Sequence, residues 1–201
     1  MEDTSQKKQR QTVDRRVVKT RRALIDALAV LLRDMELSAV TISKLVEVSD
    51  VNRKTFYAHY GSISDVFAEL ENDTLNKFAG ACDCLDFSIG DHGIYPMMRK
   101  MLQIISDDKE FYSYVFKSPG FNHIIIQTKN LLKEKFAGET AKYYSLDRTI
   151  LECMTEFISA GIIATLRHWL DTENSLSVET LSLMMSDFIS AGMGLLLSSY
   201  K

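Results

Sequence analysis

Cationic and polar side chains that suit contacts to nucleic acid are concentrated in one short segment, residues 53–60. In a helix, Phe56 and Tyr60 stand four residues apart on one face and are predicted to pack inward. The other side chains then face outward or lie at the flanks: Arg53, Lys54, Thr55, Tyr57, Ala58 and His59. Arginine and lysine pair with guanine O6 and N7 in the major groove, small apolar groups contact the thymine methyl, and threonine, tyrosine and histidine hold phosphates. The segment therefore has the composition of a helix that reads duplex DNA.

Two predicted helices upstream have the spacing needed to hold such a helix in place. Between residues 20 and 35, leucine and alanine recur at intervals of three and four, which predicts an amphipathic helix. Thr41 can cap a short helix over residues 42–48, and Asn52 can cap the segment that follows the turn. Two short helices joined by a tight turn form a helix-turn-helix. The alternative is an amphipathic core hairpin with incidental basic residues.

The rest of the chain is also predicted to be helical. Two prolines and nine glycines in 201 residues are too few to punctuate the turns of a fold built from many short strands. Ser62 and Asp65 fit a capping box that opens a fourth helix. Further helices are predicted over residues 94–106, 108–117, 121–136, 146–170 and 177–199. We therefore expect an all-α fold, divided into a basic N-terminal arm at 1–19, a helix-turn-helix domain at 20–61 and a larger helical domain at 62–201.

The overall net charge of −3 conceals an asymmetry along the chain. Residues 1–60 carry 12 Lys and Arg against 8 Asp and Glu, whereas residues 61–201 carry 12 against 19. Within the front part, residues 1–22 have a net charge of +5. A short arm with this charge suits a polyanion such as DNA, although a solvated tail that only aids solubility has the same composition.

Two stretches resemble the TetR family of transcriptional regulators: Val40-Thr41-Ile42-Ser43-Lys44-Leu45 and Val51-Asn52-Arg53-Lys54-Thr55-Phe56-Tyr57-Ala58-His59-Tyr60. The resemblance covers about residues 15–70. It implies contacts to the DNA backbone by Thr41, Lys44, Thr55, Tyr57 and His59, base reading by Ser43, Arg53, Lys54 and Ala58, and helix capping by Asn52. It also implies a homodimer that binds an operator in double-stranded DNA.

Two positions depart from the family's pattern. The turn glycine that is usual there is Asp50 here, which is tolerated because aspartate enters the left-handed region more readily than most residues. The lysine common just before the fourth helix is Ile63, so one phosphate contact is expected to be absent. That loss motivates a second hypothesis, in which the protein is a coactivator or interaction module of the same fold that works through another regulator.

The resemblance implies that the C-terminal domain binds a small effector and pairs through its last two helices. These are the most apolar predicted helices, and both contain small residues that permit close approach: Ala160, Gly161, Ala164, Ala191 and Gly192. Glycine within a helix costs about 1 kcal/mol relative to alanine, so its presence suggests tight packing, either between two subunits or within one. The spacing from Phe157 to Trp169 and Leu170 resembles the subgroup associated with a regulator of dihydroxyacetone kinase genes.

Methionine and aromatic side chains predict an apolar pocket for an unidentified effector. Its candidate residues are Met97, Met101, Phe111, Tyr112, Phe116, Cys153, Phe157 and Trp169. Methionines fill irregular gaps in a core as readily as they line a binding cavity, so plain core packing is the alternative for each.

Catalytic chemistry has little support in the sequence. It contains no glycine-rich phosphate loop, no G-x-S-x-G and no cluster at metal-ligand spacing, so we expect neither an enzyme nor a metal or other cofactor. Cys82-Asp83-Cys84 could sense oxidants or bind a soft metal, but three cysteines without C-x-x-C spacing fit free thiols. The longest uncharged run, Phe188 to Tyr200, has 13 residues, short of the roughly 20 that cross a bilayer. We expect a cytoplasmic, ligand-responsive repressor that acts as a homodimer on a palindromic operator and does not bind membranes.

Overall fold

The computed structural model describes residues 2–88, 93–172 and 176–199, with side chains from Arg15 to Ser198. Within these ranges the chain forms nine α-helices and no strand, which confirms the all-α prediction. The helices are α1 Glu2–Asp34, α2 Ile42–Ser49, α3 Arg53–His59, α4 Ile63–Cys82, α5 Tyr95–Asp107, α6 Lys109–Lys117, α7 Asn122–Tyr143, α8 Arg148–Asp171 and α9 Val178–Ser199.

Two helices are longer than the sequence pattern predicts. Helix α1 begins at Glu2 instead of residue 20, so the arm at 1–19 is a helical extension. No glycine or proline interrupts that arm, and its many Gln, Lys and Arg residues favour a helix without an apolar stripe. Helix α7 continues beyond Phe136 to Tyr143, because buried Thr140 extends the inward stripe of the helix by one more turn.

The chain divides into two compact units, residues 1–73 and 74–201, with the division inside α4. The first unit contains the predicted helix-turn-helix domain at 20–61 together with the arm and the first half of α4. The first half of α4 belongs with the helix-turn-helix because it is joined by ion pairs to α1: Arg21 pairs with Glu69, and Arg22 pairs with Asp73. The core of this unit consists of fully buried side chains from all four helices, among them Leu24, Leu28, Leu45, Phe56 and Val66.

Side-chain caps fix the starts of α2 and α3, and a left-handed residue ends α2. The Thr41 hydroxyl accepts a hydrogen bond from the Lys44 amide at 3.3 Å, and Asn52 Oδ1 accepts one from the Thr55 amide at 2.8 Å. Between the helices, Asp50 adopts the left-handed conformation with φ 52° and ψ 34°, the only positive φ at a non-glycine residue in the described ranges. These contacts fix α3 relative to α2 with few residues in the turn.

The predicted capping box at the start of α4 is present. Asp65 Oδ2 accepts hydrogen bonds from the amides of Ser62 and Gly61 at 2.9 and 2.8 Å, and the Ser62 hydroxyl accepts one from the Asp65 amide at 3.3 Å. Together these bonds satisfy three of the amide groups around the helix start.

The second unit packs α5 to α9 around a core rich in methionine and aromatic side chains. Met97, Met98 and Met101 of α5 are fully buried, as are Phe121 and Phe136. At the turn before α9, the Trp169 indole donates a hydrogen bond to the Leu176 carbonyl at 2.8 Å. The loop that the sequence predicts at 86–93 is described only at its ends, since residues 89–92 lie outside the described ranges.

Replacing Asp50 with valine is expected to lower the free energy of unfolding by about 1 to 2 kcal/mol, because a β-branched side chain is strained in the left-handed region. Glycine adopts that conformation freely, so Asp50→Gly should stay within about 0.5 kcal/mol of the wild type. Urea unfolding followed by circular dichroism measures both. Equal destabilisation by the two substitutions would contradict the role given to this backbone conformation.

Candidate nucleic-acid interface

Helix α3 has one face in the core and one face in solvent. Phe56 and Tyr60 are buried, as the spacing predicts. The side chains assigned to base reading and to the DNA backbone are exposed, with Tyr57 at 53% exposure. The outward set consists of Arg53, Lys54, Tyr57 and Ala58, with half-buried Thr55 and His59 at its flanks. The helix therefore presents a cationic edge of the kind that a major groove accepts.

The start of α2 adds further polar groups to the same unit. Thr41, Ser43 and Lys44 are all exposed, although the Thr41 hydroxyl also caps the helix. The Lys44 ammonium lies 4.0 Å from the sulfur of Met35, the residue that follows α1. Asn52 is exposed, but its amide oxygen is used as the N-cap of α3.

Three side chains from three helices tie α3 to the rest of its unit, and we call Arg21, Tyr60 and Glu69 the anchor triad. The Tyr60 hydroxyl, at the end of α3, donates to Glu69 Oε2 on α4 at 2.7 Å. The Arg21 guanidinium on α1 donates to both carboxylate oxygens, with Nε to Oε1 at 3.1 Å, and lies 5.3 Å from the centre of the Tyr60 ring. A bidentate arginine–carboxylate pair with a tyrosine hydroxyl on the same oxygen fixes both distance and orientation.

The anchor triad also shifts the protonation of its members. The Arg21 guanidinium holds the pKa of the Glu69 carboxyl below its usual value of 4.5, and the hydrogen bond from Tyr60 lowers it further. Burial and the adjacent carboxylate raise the pKa of Tyr60 well above its usual range. At neutral pH the triad therefore consists of a guanidinium, a carboxylate and a neutral phenol.

Ile63, at the first position of α4, is half buried. The amides around this helix start are turned toward Asp65. Position 63 thus has no cationic side chain. The Asp65 carboxylate accepts the amide hydrogen bonds that a bound anion could otherwise accept at this helix start. This part of the interface is less suited to a phosphate than the exposed face of α3.

The structure separates the residues predicted to form an effector pocket. Six are buried in the second unit: Met97, Met101, Phe111, Tyr112, Phe116 and Trp169. Cys153 and Phe157 are exposed instead, Phe157 at 82%, so they do not lie in the core with the other six. Helix α8 is apolar around most of its circumference, and its periodicity does not tell which face turns inward.

Cys153 and Phe157 line an open apolar groove of about 800 Å³ between α8 and α9, which we call the α8–α9 groove. Gly161 and Gly192 lie in the same groove, and a Cβ added to either would meet nothing within 4 Å. Phe188 and Leu195 of α9 are 74% and 73% exposed. Ala160, Ala164 and Ala191 are also exposed on these helices. In the described chain the small residues are therefore not used for packing between α8 and α9.

The cysteines do not form a reactive pair. Cys82 is buried, which raises the pKa of its thiol to about 12. A thiol that stays protonated is a poor nucleophile and a poor metal ligand. Among the described residues, no group of three or more His, Cys, Asp and Glu side chains is placed to hold a metal ion.

Helices α8 and α9 are long and apolar enough to span a bilayer by length and composition. Core helices of soluble proteins pass the same test.

Comparison with known protein families supports a role in transcriptional regulation. Residues 93–191 match a TetR-type family described as "Transcriptional regulator C-terminal region". The helix-turn-helix that resembles TetR proteins precedes that match in the same chain. The chain carries the C-terminal region of a TetR-family transcriptional regulator.

Solved TetR-family structures share the fold over most of both chains. A TetR transcriptional regulator from Streptococcus agalactiae 2603V is 21% identical, with a TM-score of 0.62 over 89% of this chain and 98% of its own. The dihydroxyacetone kinase operon activator DhaS is 19% identical, with a TM-score of 0.67 over 90% and 98%. FadR from Bacillus subtilis, solved in complex with stearoyl-CoA, is 15% identical, with a TM-score of 0.64 over 85% and 97%. At these identities the likeness is one of fold. No curated protein sequence matches the chain significantly.

Sequence reasoning missed the anchor triad of this TetR-family protein. Tyr60 was assigned to the core, and a buried tyrosine hydroxyl usually has a hydrogen-bond partner, which is the one signal available. Glu69 lies 9 residues after Tyr60 and 48 residues after Arg21 in the sequence, and no local pattern joins the three. Arg21 and Arg22 were counted among the charges of the basic arm, but both pair with carboxylates inside the unit.

Glu69→Gln is expected to lower the free energy of unfolding by about 1 kcal/mol at neutral pH, since it removes a charge-assisted pair that is partly exposed. The pKa of Glu69 is lower in the folded state than its usual value of 4.5, so the carboxylate stabilises the fold fully above that pH. This contribution is lost as the pH falls through the lower folded-state value.

Urea unfolding of the wild type and the variant between pH 7 and pH 3 measures this difference. The two curves should converge in the acidic range. Glu47→Gln, at an exposed position of α2, is the matched control and should show no such convergence. A constant gap between wild type and Glu69→Gln at every pH would contradict the role of the carboxylate.

Proposed function

We propose that this TetR-family protein is a homodimeric, ligand-responsive repressor that binds a palindromic operator in the cytoplasm. The observation that carries the proposal is the exposed cationic edge of α3, where Arg53 and Lys54 begin the helix and Tyr57 lies one turn further along. A helix-turn-helix places the N-terminal residues of its second helix against base edges. Thr41, Lys44, Thr55, Tyr57 and His59 are proposed to hold the DNA backbone, and Ser43, Arg53, Lys54 and Ala58 to read bases.

Dimer formation is proposed through the α8–α9 groove. The lining of this groove is mainly apolar and includes the exposed side chains of Phe157 and Phe188. Contiguous apolar surface of this kind marks an interaction site in a soluble protein. The glycines with open space around them would allow a second copy to approach closely at Gly161 and Gly192. Two copies related by a two-fold axis would present two α3 helices to successive major grooves, about 34 Å apart.

Effector binding is proposed for the second unit. FadR from Bacillus subtilis has been solved with stearoyl-CoA, and the methionine and aromatic core of α5 and α6 offers chemistry suited to an apolar small molecule. Helix α4 belongs to both compact units and carries Glu69 of the anchor triad. An effector that binds better to a conformation with an altered α4 would shift the population away from the DNA-binding state, to the extent of that differential affinity.

A second candidate is an activator or coactivator that works through another regulator. Two observations favour it: Ile63 occupies the position of a phosphate-binding lysine, and DhaS, a dihydroxyacetone kinase operon activator, shares the fold. The two candidates differ in whether the purified protein binds a specific DNA sequence alone. Selection of bound fragments from the source genome, followed by footprinting, tests this. A protected palindrome without any added partner supports the repressor proposal, and no footprint without a partner supports the second candidate.

Arg53→Ala is expected to relax base preference at one position of each half-site, which costs about 1 to 3 kcal/mol on the preferred operator. Tyr57→Phe removes a hydroxyl assigned to the backbone, so it should weaken binding equally on every sequence. Operator binding by gel shift, repeated on single-base variants and over a range of salt, separates the two effects. Equal loss on every sequence for Arg53→Ala would contradict its role in base reading.

Gly192→Leu is expected to weaken the dimer at least tenfold, because the added side chain would fill the space proposed for the second copy. The folded chain should keep its stability, since no atom within 4 Å meets an added Cβ. Gly138→Leu is the matched control: it is an exposed helical glycine with equally open surroundings, on α7 and outside the groove. Sedimentation equilibrium measures both dissociation constants. An unchanged dimer in Gly192→Leu would rule out this face as the interface.

A further inference from the structure

Helix α7 carries two polar side chains within its buried stripe. The buried residues of this helix are Ile124, Thr128, Leu132, Phe136 and Thr140. Thr128 and Thr140 are 3% and 1% exposed, so both hydroxyls lie away from water. Neither hydroxyl forms a hydrogen bond within the part of the chain that the structure describes. A buried hydroxyl without a partner costs free energy, and folded proteins seldom leave one in that state.

Two other buried hydroxyls of the second unit are satisfied by their own helices. Thr155 Oγ1 on α8 donates to the Leu151 carbonyl at 2.9 Å, and Ser182 Oγ on α9 donates to the Val178 carbonyl at 2.6 Å. A threonine or serine inside a helix makes this bond to a carbonyl three or four residues earlier. The two threonines of α7 do not make it, so their hydroxyls are available to a group that is not part of the described chain.

The core of the second unit contains no cation that would pair with an anionic ligand. Among its described residues, the buried polar side chains are serines and threonines only, and every Lys, Arg and His is exposed or half buried. Glu139, which precedes Thr140 in the sequence, is half buried and pairs with Lys142. An ionised group brought into this core would lose its water without gaining a free counter-charge, and that cost is far higher than for a hydroxyl.

The apolar side chains of this core suit an elongated apolar molecule. Leu132 and Phe136 lie between the two threonines, and twelve residues of helix span about 18 Å. Met97, Met98 and Met101 of α5 are fully buried in the same unit. Methionine is unbranched and has three rotatable bonds, so it changes conformation more easily than a branched side chain when a ligand enters.

We propose that the effector of the second unit is an uncharged, mainly apolar molecule whose hydroxyl or carbonyl groups hydrogen-bond to Thr128 and Thr140. This inference rests on the proposed function and assigns a chemical class to its effector. A threonine hydroxyl both donates and accepts, so it satisfies either group on the ligand. The apolar body of the molecule supplies most of the affinity, and the two hydroxyls fix its orientation.

The test uses three straight-chain probes of equal length that differ in charge: α,ω-dodecanediol, dodecanedioate and α,ω-diaminododecane. Their length of about twelve carbons suits the span between the two threonines. The diamine is included because Glu139 Oε2 is buried without a hydrogen-bond partner in the described ranges. Calorimetry measures the dissociation constant of each probe with the full-length protein, and gel shifts measure operator binding with and without each probe.

Two double variants separate the α7 hydroxyls from buried hydroxyls in general. The first combines Thr128→Val with Thr140→Val, and the control combines Thr155→Val with Ser182→Ala, whose hydroxyls are satisfied within the protein. We expect the wild type and the control to bind the diol at least about tenfold more tightly than either charged probe. The first variant should bind the diol about tenfold more weakly than the wild type, because two hydrogen bonds are lost. It should melt at or above the wild-type temperature, since the free protein loses no hydrogen bond.

Three results would overturn the inference. A dicarboxylate or diamine that binds as tightly as the diol would exclude the uncharged class, and so would a diol that does not bind. Equal diol affinity in the wild type and the Thr128→Val, Thr140→Val variant would show that the two hydroxyls do not hold the ligand, as expected if they bond only to ordered water.

The operator measurements test the proposed function separately. A wild type that selects no operator would overturn the proposed function, whichever probe it binds. A diol that binds through the two threonines but leaves operator affinity unchanged would support the site and overturn the ligand response. Release of the operator by the diol from the wild type, at concentrations that leave the Thr128→Val, Thr140→Val variant bound, would support both.

Discussion

The partly buried contact between the Tyr60 hydroxyl and the Glu69 carboxylate is the constraint on which the geometry of the helix-turn-helix unit depends. It joins the end of α3 to α4, and Arg21 adds α1 to the same carboxylate. A short helix of seven residues has little stability of its own, since helix nucleation is costly and few turns follow it. Its orientation must come from tertiary contacts, and a charge-assisted network across three helices supplies a more specific one than apolar packing alone.

The anchor triad also connects α3 to α4 through the hydrogen bond from Tyr60 to Glu69. That helix begins with a capping box in the first unit and ends at Cys82 in the second. A change in its position acts on Tyr60 through Glu69. Coupling between an effector and DNA needs two states that the effector distinguishes, and in the proposed function the element that would carry the difference is α4 with its half-buried Glu69.

The second unit exposes apolar surface on α8 and α9. Phe157 and Phe188 each expose most of an aromatic ring, and contiguous apolar surface of this kind marks an interaction site. The glycines of α8 and α9 have no neighbours at their Cα positions in the described chain. The buried methionines of α5, in contrast, are satisfied within the subunit, and their adaptable side chains could make room for an effector without exposing the core.

The sequence alone determined most of the helices, the caps and which face of α3 turns inward. Periodicity and capping residues are local, so Thr41, Asn52 and the inward pair of α3 could be predicted from spacing, and Asp50 could be expected in a left-handed turn. The tertiary structure decided which of two apolar faces of α8 turns inward, because that helix is apolar around most of its circumference. It also decided the hydrogen-bond partner of Tyr60. Glu69 is 9 positions from Tyr60 and 48 from Arg21, so the three side chains come together only when the helices pack, and no local sequence pattern predicts the contact.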